Sequence, residues 1–212
     1  MKKGLLVTFE GIDGCGKTTQ SRIFRDALKS AGFPIVFIKE PGGTETGELI
    51  RKILLDGDLP IVPWAELLLY VASRAQLAEE VILPALQRGE VVVCDRYADS
   101  TVAYQCYGRG LPQKIVDLLH RKIIVRAKPS LTFLIDADPA DLVPILEGKR
   151  KDRIEREEIS FQQDVRKGYL AIARREKRIR VIRRGTVTAT AAEILDQWRQ
   201  FFHEPRRSKT FS

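Results

Sequence analysis

The sequence predicts an α/β fold, in which a five-stranded parallel sheet is flanked by helices on both faces. Three observations predict it. Short runs rich in Val, Ile, Leu and Phe alternate with longer helical patterns along the whole chain, the order expected of parallel strands joined by crossover helices. Gly11 to Thr18 spells G-x-x-x-x-G-K-T between a strand pattern and a helix pattern, the setting that turns this motif into a phosphate site. Val91–Asp95 is an apolar strand that ends in an acid, the form of a metal-orienting Walker-B element. Together these give a three-layer fold of the P-loop NTPase type.

The elements follow in order. Leu5–Phe9 is apolar except for Thr8 and makes the first strand. Lys17–Ser30 is helical and stops before Gly32 and Pro34. Ile35–Lys39 is the second strand, followed by a short helix at Thr46–Leu54. A long helix is expected over Ala65–Arg88, ended by Gly89 and bent by Pro84. Val91–Asp95 is the third strand. Two helices, Asp99–Tyr107 and Gln113–Ile123, are separated by Gly108-Arg109-Gly110-Leu111-Pro112. Leu131–Asp136 is the fourth strand, and helices follow at Pro139–Leu146 and Phe161–Glu176. The fifth strand, Ile179–Ile182, is weaker because Arg180 interrupts it, and Ala189–Phe202 closes the pattern. We expect one domain over residues 1–204, with a short basic segment at about 147–158 that the family resemblance makes a lid. The basic stretch 205–212 is expected to be disordered.

Composition narrows the class. The 212 residues are 44% hydrophobic and 30% charged, as in a soluble globular domain with a full core. No apolar run is long enough to span a bilayer, so no membrane partner is expected. Met1-Lys2-Lys3-Gly4 leads straight into a strand without an h-region, and the expected location is cytoplasmic. Cys15, Cys94 and Cys106 form no C-x-x-C pair, and the only histidines are His120 and His203. That argues against a structural zinc site and fits a reducing compartment. The formal charge is +8, but Glu147–Arg184 carries +7 of it. A local excess of this kind suits phosphate clamping, and nucleic acid is not the expected partner. A P-loop ATPase that binds nucleic acid stays open as an alternative, since a basic stripe is the usual footprint.

The chemistry is legible in two places. Gly11, Ile12, Asp13, Gly14, Cys15, Gly16, Lys17, Thr18 and Thr19 form the candidate nucleotide loop. Its glycines let the backbone close on a polyphosphate at the positive end of a helix. Lys17 would reach the outer phosphates, while the Thr18 hydroxyl and Asp95 would hold Mg²⁺. Arg96 follows Asp95 directly. A planar guanidinium beside the metal acid suggests a second anion, such as a phosphorylated acceptor.

These motifs resemble the thymidylate kinase family, the nucleoside monophosphate kinases that make dTDP from dTMP and ATP. The matching segments are Phe9–Gln20, Glu40–Glu48, Ser73–Gln76, Asp95–Gln105, Gly108–Leu111 and Asp152–Glu155, in the family's order. Asp-Arg-Tyr followed by Ser-x-x-Ala-Tyr-Gln is the most specific of them, and Glu-Pro-Gly-Gly-Thr points to the bacterial-type branch. The resemblance implies ATP as donor, dTMP as acceptor and a homodimer through helices after the first and third strands. It implies that Arg96 grips the acceptor phosphate, with Asp13 nearby, and that Glu40 and Pro41 shape the floor of that site. Tyr70, where the family more often has Phe, would stack on thymine, and Arg74 would contact the base edge. Ser100 and Thr101 fall on the base-contacting helix. Gln105 does too, with simple packing an equal reading. Tyr104 would lie against the deoxyribose and leave no room for a 2′-hydroxyl. Some members carry a catalytic arginine in the P-loop. Here that position holds Cys15, so the arginine is expected in the lid at Arg153, with Arg150 as substitute. Arg183–Thr186 is a candidate wall for adenine. Another (deoxy)nucleoside monophosphate kinase is the alternative within the class.

Overall fold

The computed structural model describes residues 4–124, 126–146, 153–154 and 156–203. Most of the lid and the 205–212 tail, Arg150 included, lie outside the described residues. The strands are β1 (Leu5–Glu10), β2 (Ile35–Lys39), β3 (Val91–Asp95), β4 (Leu131–Asp136) and β5 (Ile179–Arg183). They form one parallel sheet in the order β2-β3-β1-β4-β5. Side chains alternate across it as the pleat requires. Leu5, Val7, Phe9, Val91 and Val93 face one cluster, while Leu6, Val92 and Cys94 face the other. The weaker pattern of the fifth strand has a simple cause. β5 pairs only with β4, and as an edge strand it leaves Val181 exposed.

Helices cover both faces. They are α1 (Lys17–Ser30), α2 (Glu45–Leu55), α3 (Pro63–Leu77), α4 (Leu83–Gln87), α5 (Ala98–Thr101), α6 (Gln113–Ile123), α7 (Pro139–Leu146), α8 (Ile159–Arg175) and α9 (Val187–His203). On one face α1 and α9 pack on the sheet through Phe24 and Trp198. Phe24 lies 5.4 Å from both the Phe9 and the Trp198 rings, in the tilted and edge-on contacts that aromatic quadrupoles favour.

The long helix expected over 65–88 is interrupted. A π-helical turn at Ala78–Ile82 separates α3 from α4, and the Leu83 N–H bonds to the Ala78 carbonyl, five residues back. Pro84 explains the break, because it has no N–H for the carbonyl four residues earlier. The expected Asp99–Tyr107 helix likewise becomes α5 followed by a π turn at Val102–Gly108. Such wide turns cluster at functional sites, and this one carries Tyr104 and Gln105.

Candidate active site

β1 is the centre of the sheet; the chain runs from it out to β2 and back to β3 on one side, then crosses to β4 and β5 on the other. Crevices outside strand C-termini at such switch points are where ligands bind in open α/β sheets. The loop Gly11–Gly16 follows β1 and leads into α1. Gly11 has φ 142, and a Cβ there would sit 2.6 Å from the Ile135 carbonyl oxygen. Gly16 caps α1 in a left-handed conformation, φ 97, which glycine adopts without steric cost. Lys17 is buried, donates to the Ile12 carbonyl at 3.0 Å and lies 3.7 Å from Asp13.

β3 delivers the second half of the site. The Thr18 hydroxyl donates to Asp95 Oδ2 at 2.5 Å. Asp95 Oδ1 is buried without a hydrogen-bond partner among the described residues. A buried carboxylate oxygen left open beside a loop hydroxyl fits a hydrated Mg²⁺. Arg96 follows in the left-handed region, φ 70, a conformation uncommon for any residue with a Cβ and a recurrent mark of functional sites. Its guanidinium pairs with Asp13 and donates to the Gly11 carbonyl at 3.1 Å. It also reaches the hydroxyls of Tyr104 and Tyr169, both at 3.2 Å. The Tyr104 hydroxyl donates to Asp13 Oδ2 at 2.8 Å. Burial alone would raise the Asp13 pKa, but Arg96, Lys17 and Tyr104 outweigh it and hold the carboxyl at about 2.

These groups line one cavity of about 180 Å³. Of the sequence-predicted residues, its wall includes Asp13, Gly14, Lys17, Thr18, Glu40 and Pro41 together with Tyr70, Arg96, Ser100, Thr101, Tyr104 and Gln105. Two features carry its chemistry. Lys39 and Arg51 join Lys17 and Arg96 in its lining, four cations that suit a phosphate. The same lining carries the Tyr70 ring and the polar atoms of Thr101 and Gln105. Such a chamber fits a nucleoside monophosphate.

A family profile described as "Thymidylate kinase" matches residues 9–194. The chain belongs to the thymidylate kinase family. A thymidylate kinase of Pelotomaculum thermopropionicum is 48% identical over 186 residues, 85% of each chain. One from Caldanaerobacter subterraneus is 44% identical over 172 residues, covering 81% of this chain and 83% of the relative. A crystal structure of thymidylate kinase from Ehrlichia chaffeensis superposes with a TM-score of 0.77 at 32% identity, over 92% of this chain and 98% of that one.

Within this thymidylate kinase fold several predicted residues stand apart from the cavity wall. Arg74 is only 2% exposed and lies behind the wall. Its Nε and Nη2 bond Glu40 Oε2 at 2.8 and 2.6 Å, Nη2 also reaches the Tyr97 carbonyl, and Nη1 reaches Thr101 and His120. All five N–H directions are engaged, so a direct bond from Arg74 to a base requires one partner to be exchanged. The His120 ring, lowered to about 3 by burial and by Arg74, stays neutral and accepts from it. Arg153 lies on a different cavity. It donates to the Leu54 carbonyl at 3.2 Å and pairs with Glu66 at 2.5 Å. Cys15 turns into the core, where burial pushes its thiol up.

Lys39 and Arg51 line the candidate site, and Glu10, Glu66 and Tyr169 bond to residues that line it, yet the motifs did not single them out. Glu10 accepts from the Tyr97 N–H at 2.8 Å, Ser100 Oγ at 2.6 Å and the Tyr169 hydroxyl at 3.1 Å. Burial and the Asp99 carboxylate push it up to about 8. Arg51 donates to the Pro41 carbonyl at 2.7 Å, next to the Glu40–Pro41 peptide, which is cis. For Glu10 a signal existed, since a charged residue ending an otherwise apolar central strand asks for a buried partner.

Proposed function

We propose that the chain transfers the γ-phosphoryl group of ATP to dTMP, giving dTDP for dTTP synthesis, and that the cavity between the P-loop and the α5 region is its acceptor site. The observation that carries this reading is the joining of a P-loop to a base-sized polar chamber through Arg96. An ATPase that hydrolyses its nucleotide needs no such chamber.

The residues divide the work. The acceptor is a phosphate whose second pKa is about 6, so it arrives largely as a dianion and needs no general base. What it lacks is a way to approach another anion, and positioning with charge neutralisation supplies it. Arg96, with Lys39 and Arg51, holds the acceptor phosphate. Lys17 and the Gly11–Thr19 loop hold the donor phosphates. Thr18 and Asp95 hold Mg²⁺, which when bound neutralises charge on the donor's outer phosphoryl groups. Tyr70 stacks on the base, Thr101 and Gln105 face its edge, and Tyr104, fixed by Asp13 and Arg96, packs against the deoxyribose. Arg153 reaches the transferring group when the lid closes and exchanges Glu66 for phosphate. Arg183–Thr186, just past β5 on the same edge of the sheet as the P-loop, supplies a wall for adenine.

A coupled ADP-release assay with ATP, Mg²⁺ and dTMP, dUMP, UMP, CMP, AMP or GMP tests the reading. Fast turnover with dTMP, and slower turnover with dUMP, is expected. Equal ADP release with every acceptor, or with none, would reduce the protein to an ATPase.

The working form is a homodimer in the cytoplasm, where ATP is supplied. Among the described residues no helix is long and apolar enough to cross a membrane. The sequence put the dimer face on helices after the first and third strands; α6 is one of the latter, whereas α1 exposes no large apolar side chain. Leu49 and Ile53 on α2, Trp64 and Leu68 on α3, and Ile115 and Leu118 on α6 are exposed instead, with Trp64 at 46% and Leu68 at 55%. α3 packs against both α2 and α6, so these side chains fall on adjoining helices, as an interface core requires. In sedimentation, wild type is expected as a dimer and L68E as a monomer. A wild-type monomer at tens of micromolar protein would exclude this face.

A further inference from the structure

Two buried charges of opposite sign lie behind the base-facing wall. Gln105 and Thr101 stand four residues apart on that wall, and both are nearly inaccessible. Glu66, from α3, lies behind Gln105 and accepts from its Nε2 at 2.8 Å. Arg74 lies behind Thr101 and donates to its Oγ1 at 2.8 Å. A carboxylate offers only acceptors and a guanidinium only donors. The charge behind each wall group therefore fixes the polarity that the group turns forward.

Gln105 gives its amide N–H to Glu66. Its Oε1 has no partner among the described residues and remains an acceptor for the cavity. Thr101 Oγ1 accepts an N–H hydrogen bond from Arg74, which leaves its own O–H free to donate. Neither charge is free to reverse. Glu66 also takes Arg109 Nε and Nη2, both at 3.2 Å, and Arg153 Nη2 at 2.5 Å. Arg74 is held by Glu40 and by neutral His120.

We propose that Glu66 is a specificity-determining positioning residue, acting through Gln105 as Arg74 acts through Thr101. The pair selects a pyrimidine edge that carries a ring N–H beside a carbonyl. It rejects an edge with an unprotonated ring nitrogen beside an amino group. Thymine and uracil have the first edge and cytosine has the second. This rests on the reading of Thr101 and Gln105 as the base-facing pair.

The same wall docks the lid residue Arg153 on Glu66, so base recognition and lid position share one carboxylate. Sites built to hydrogen-bond a substrate group reject analogues that leave them unpaired by factors of about 10⁴ to 10⁵.

The test compares kcat/KM for dTMP, dCMP and N3-methyl-dTMP in wild type and E66Q at saturating ATP and Mg²⁺. Wild type is expected to use dCMP and N3-methyl-dTMP at least about 10³-fold less well than dTMP. In E66Q the amide behind Gln105 offers both a donor and an acceptor, so Gln105 gains a second orientation. The dTMP-to-dCMP preference is expected to fall by about tenfold or more. A purely structural role would lower both acceptors in proportion, and an unchanged ratio in folded E66Q overturns the proposal. Should E66Q not fold, E66D is judged on the same ratio, because it keeps the negative charge and shortens its reach towards Gln105. Wild type that phosphorylates dCMP as well as dTMP also overturns it. Wild type inert towards both would instead overturn the proposed function, and this inference with it.

Discussion

Arg96→Ala is expected to lower kcat/KM for dTMP by about 10³-fold while changing ATP affinity by less than about threefold. The magnitude follows from what the guanidinium does. It is largely buried and joins Asp13, the Gly11 carbonyl and two tyrosine hydroxyls, and burial is outweighed by Asp13 so that its pKa is pushed up and its charge is fixed. An incoming acceptor dianion meets Asp13, held as a carboxylate, on the same wall. Arg96 is the group that neutralises both. Truncating one partner of a buried, hydrogen-bonded charge pair costs about 2–5 kcal/mol, and at about 1.4 kcal/mol per tenfold a cost of about 4 kcal/mol, inside that range, is a thousandfold. R96K keeps the charge without the fork and should recover less than about tenfold of the loss. Equilibrium binding of ATP to R96A, beside steady-state kinetics with dTMP, checks the prediction. A loss of ATP affinity equal to the loss for dTMP would show that Arg96 serves the donor phosphates.

Arg153→Ala is expected to lower kcat by about 10³-fold if the side chain acts on the transferring group as an arginine finger. In the structure it rests on Glu66 and the Leu54 carbonyl, 12% exposed. Its catalytic position therefore requires lid movement, and the cost of leaving Glu66 is offset because Arg109 and Gln105 still satisfy that carboxylate. The fold should survive the substitution, and a thermal melt within a few degrees of wild type would confirm that the kinetic loss is local. Single-turnover measurement at saturating ATP and dTMP isolates the chemical step. A loss below tenfold removes Arg153 from the mechanism and leaves its Glu66 contact as its main role.

Much of this was readable in the chain. All five strands and the helices of the described region lie within a few residues of the sequence pattern, because each element writes its own period. The breaks at Ala78–Ile82 and Val102–Gly108 were not readable as π turns. Pro84 marked the first as a bend, but how displaced carbonyls find new donors depends on the packing around them. The P-loop, Asp95 and Arg96 were legible because a phosphate site uses contiguous backbone and one strand end.

Arg74 and Arg153 show the limit. Each fits a functional motif, yet the partners that occupy them come from residues 34, 27 and 87 positions away. The local pattern sets which side chain is present and which face it starts from. It does not set which distant donor or acceptor completes it.

The sequence by itself determined the parallel α/β fold, the glycine-rich loop between β1 and α1, and the acid at the end of β3 with the arginine beside it. Each is a local arrangement whose spacing survives in one dimension. Only the tertiary structure decided that Lys39 and Arg51 join the phosphate end, that Arg74 stands behind the wall, and that Glu66 gathers Gln105, Arg109 and Arg153 onto one carboxylate. The physical reason is that a buried charge must be neutralised and hydrogen-bonded wherever the fold has put it. Its partners are chosen by three-dimensional proximity, which the order of residues does not record.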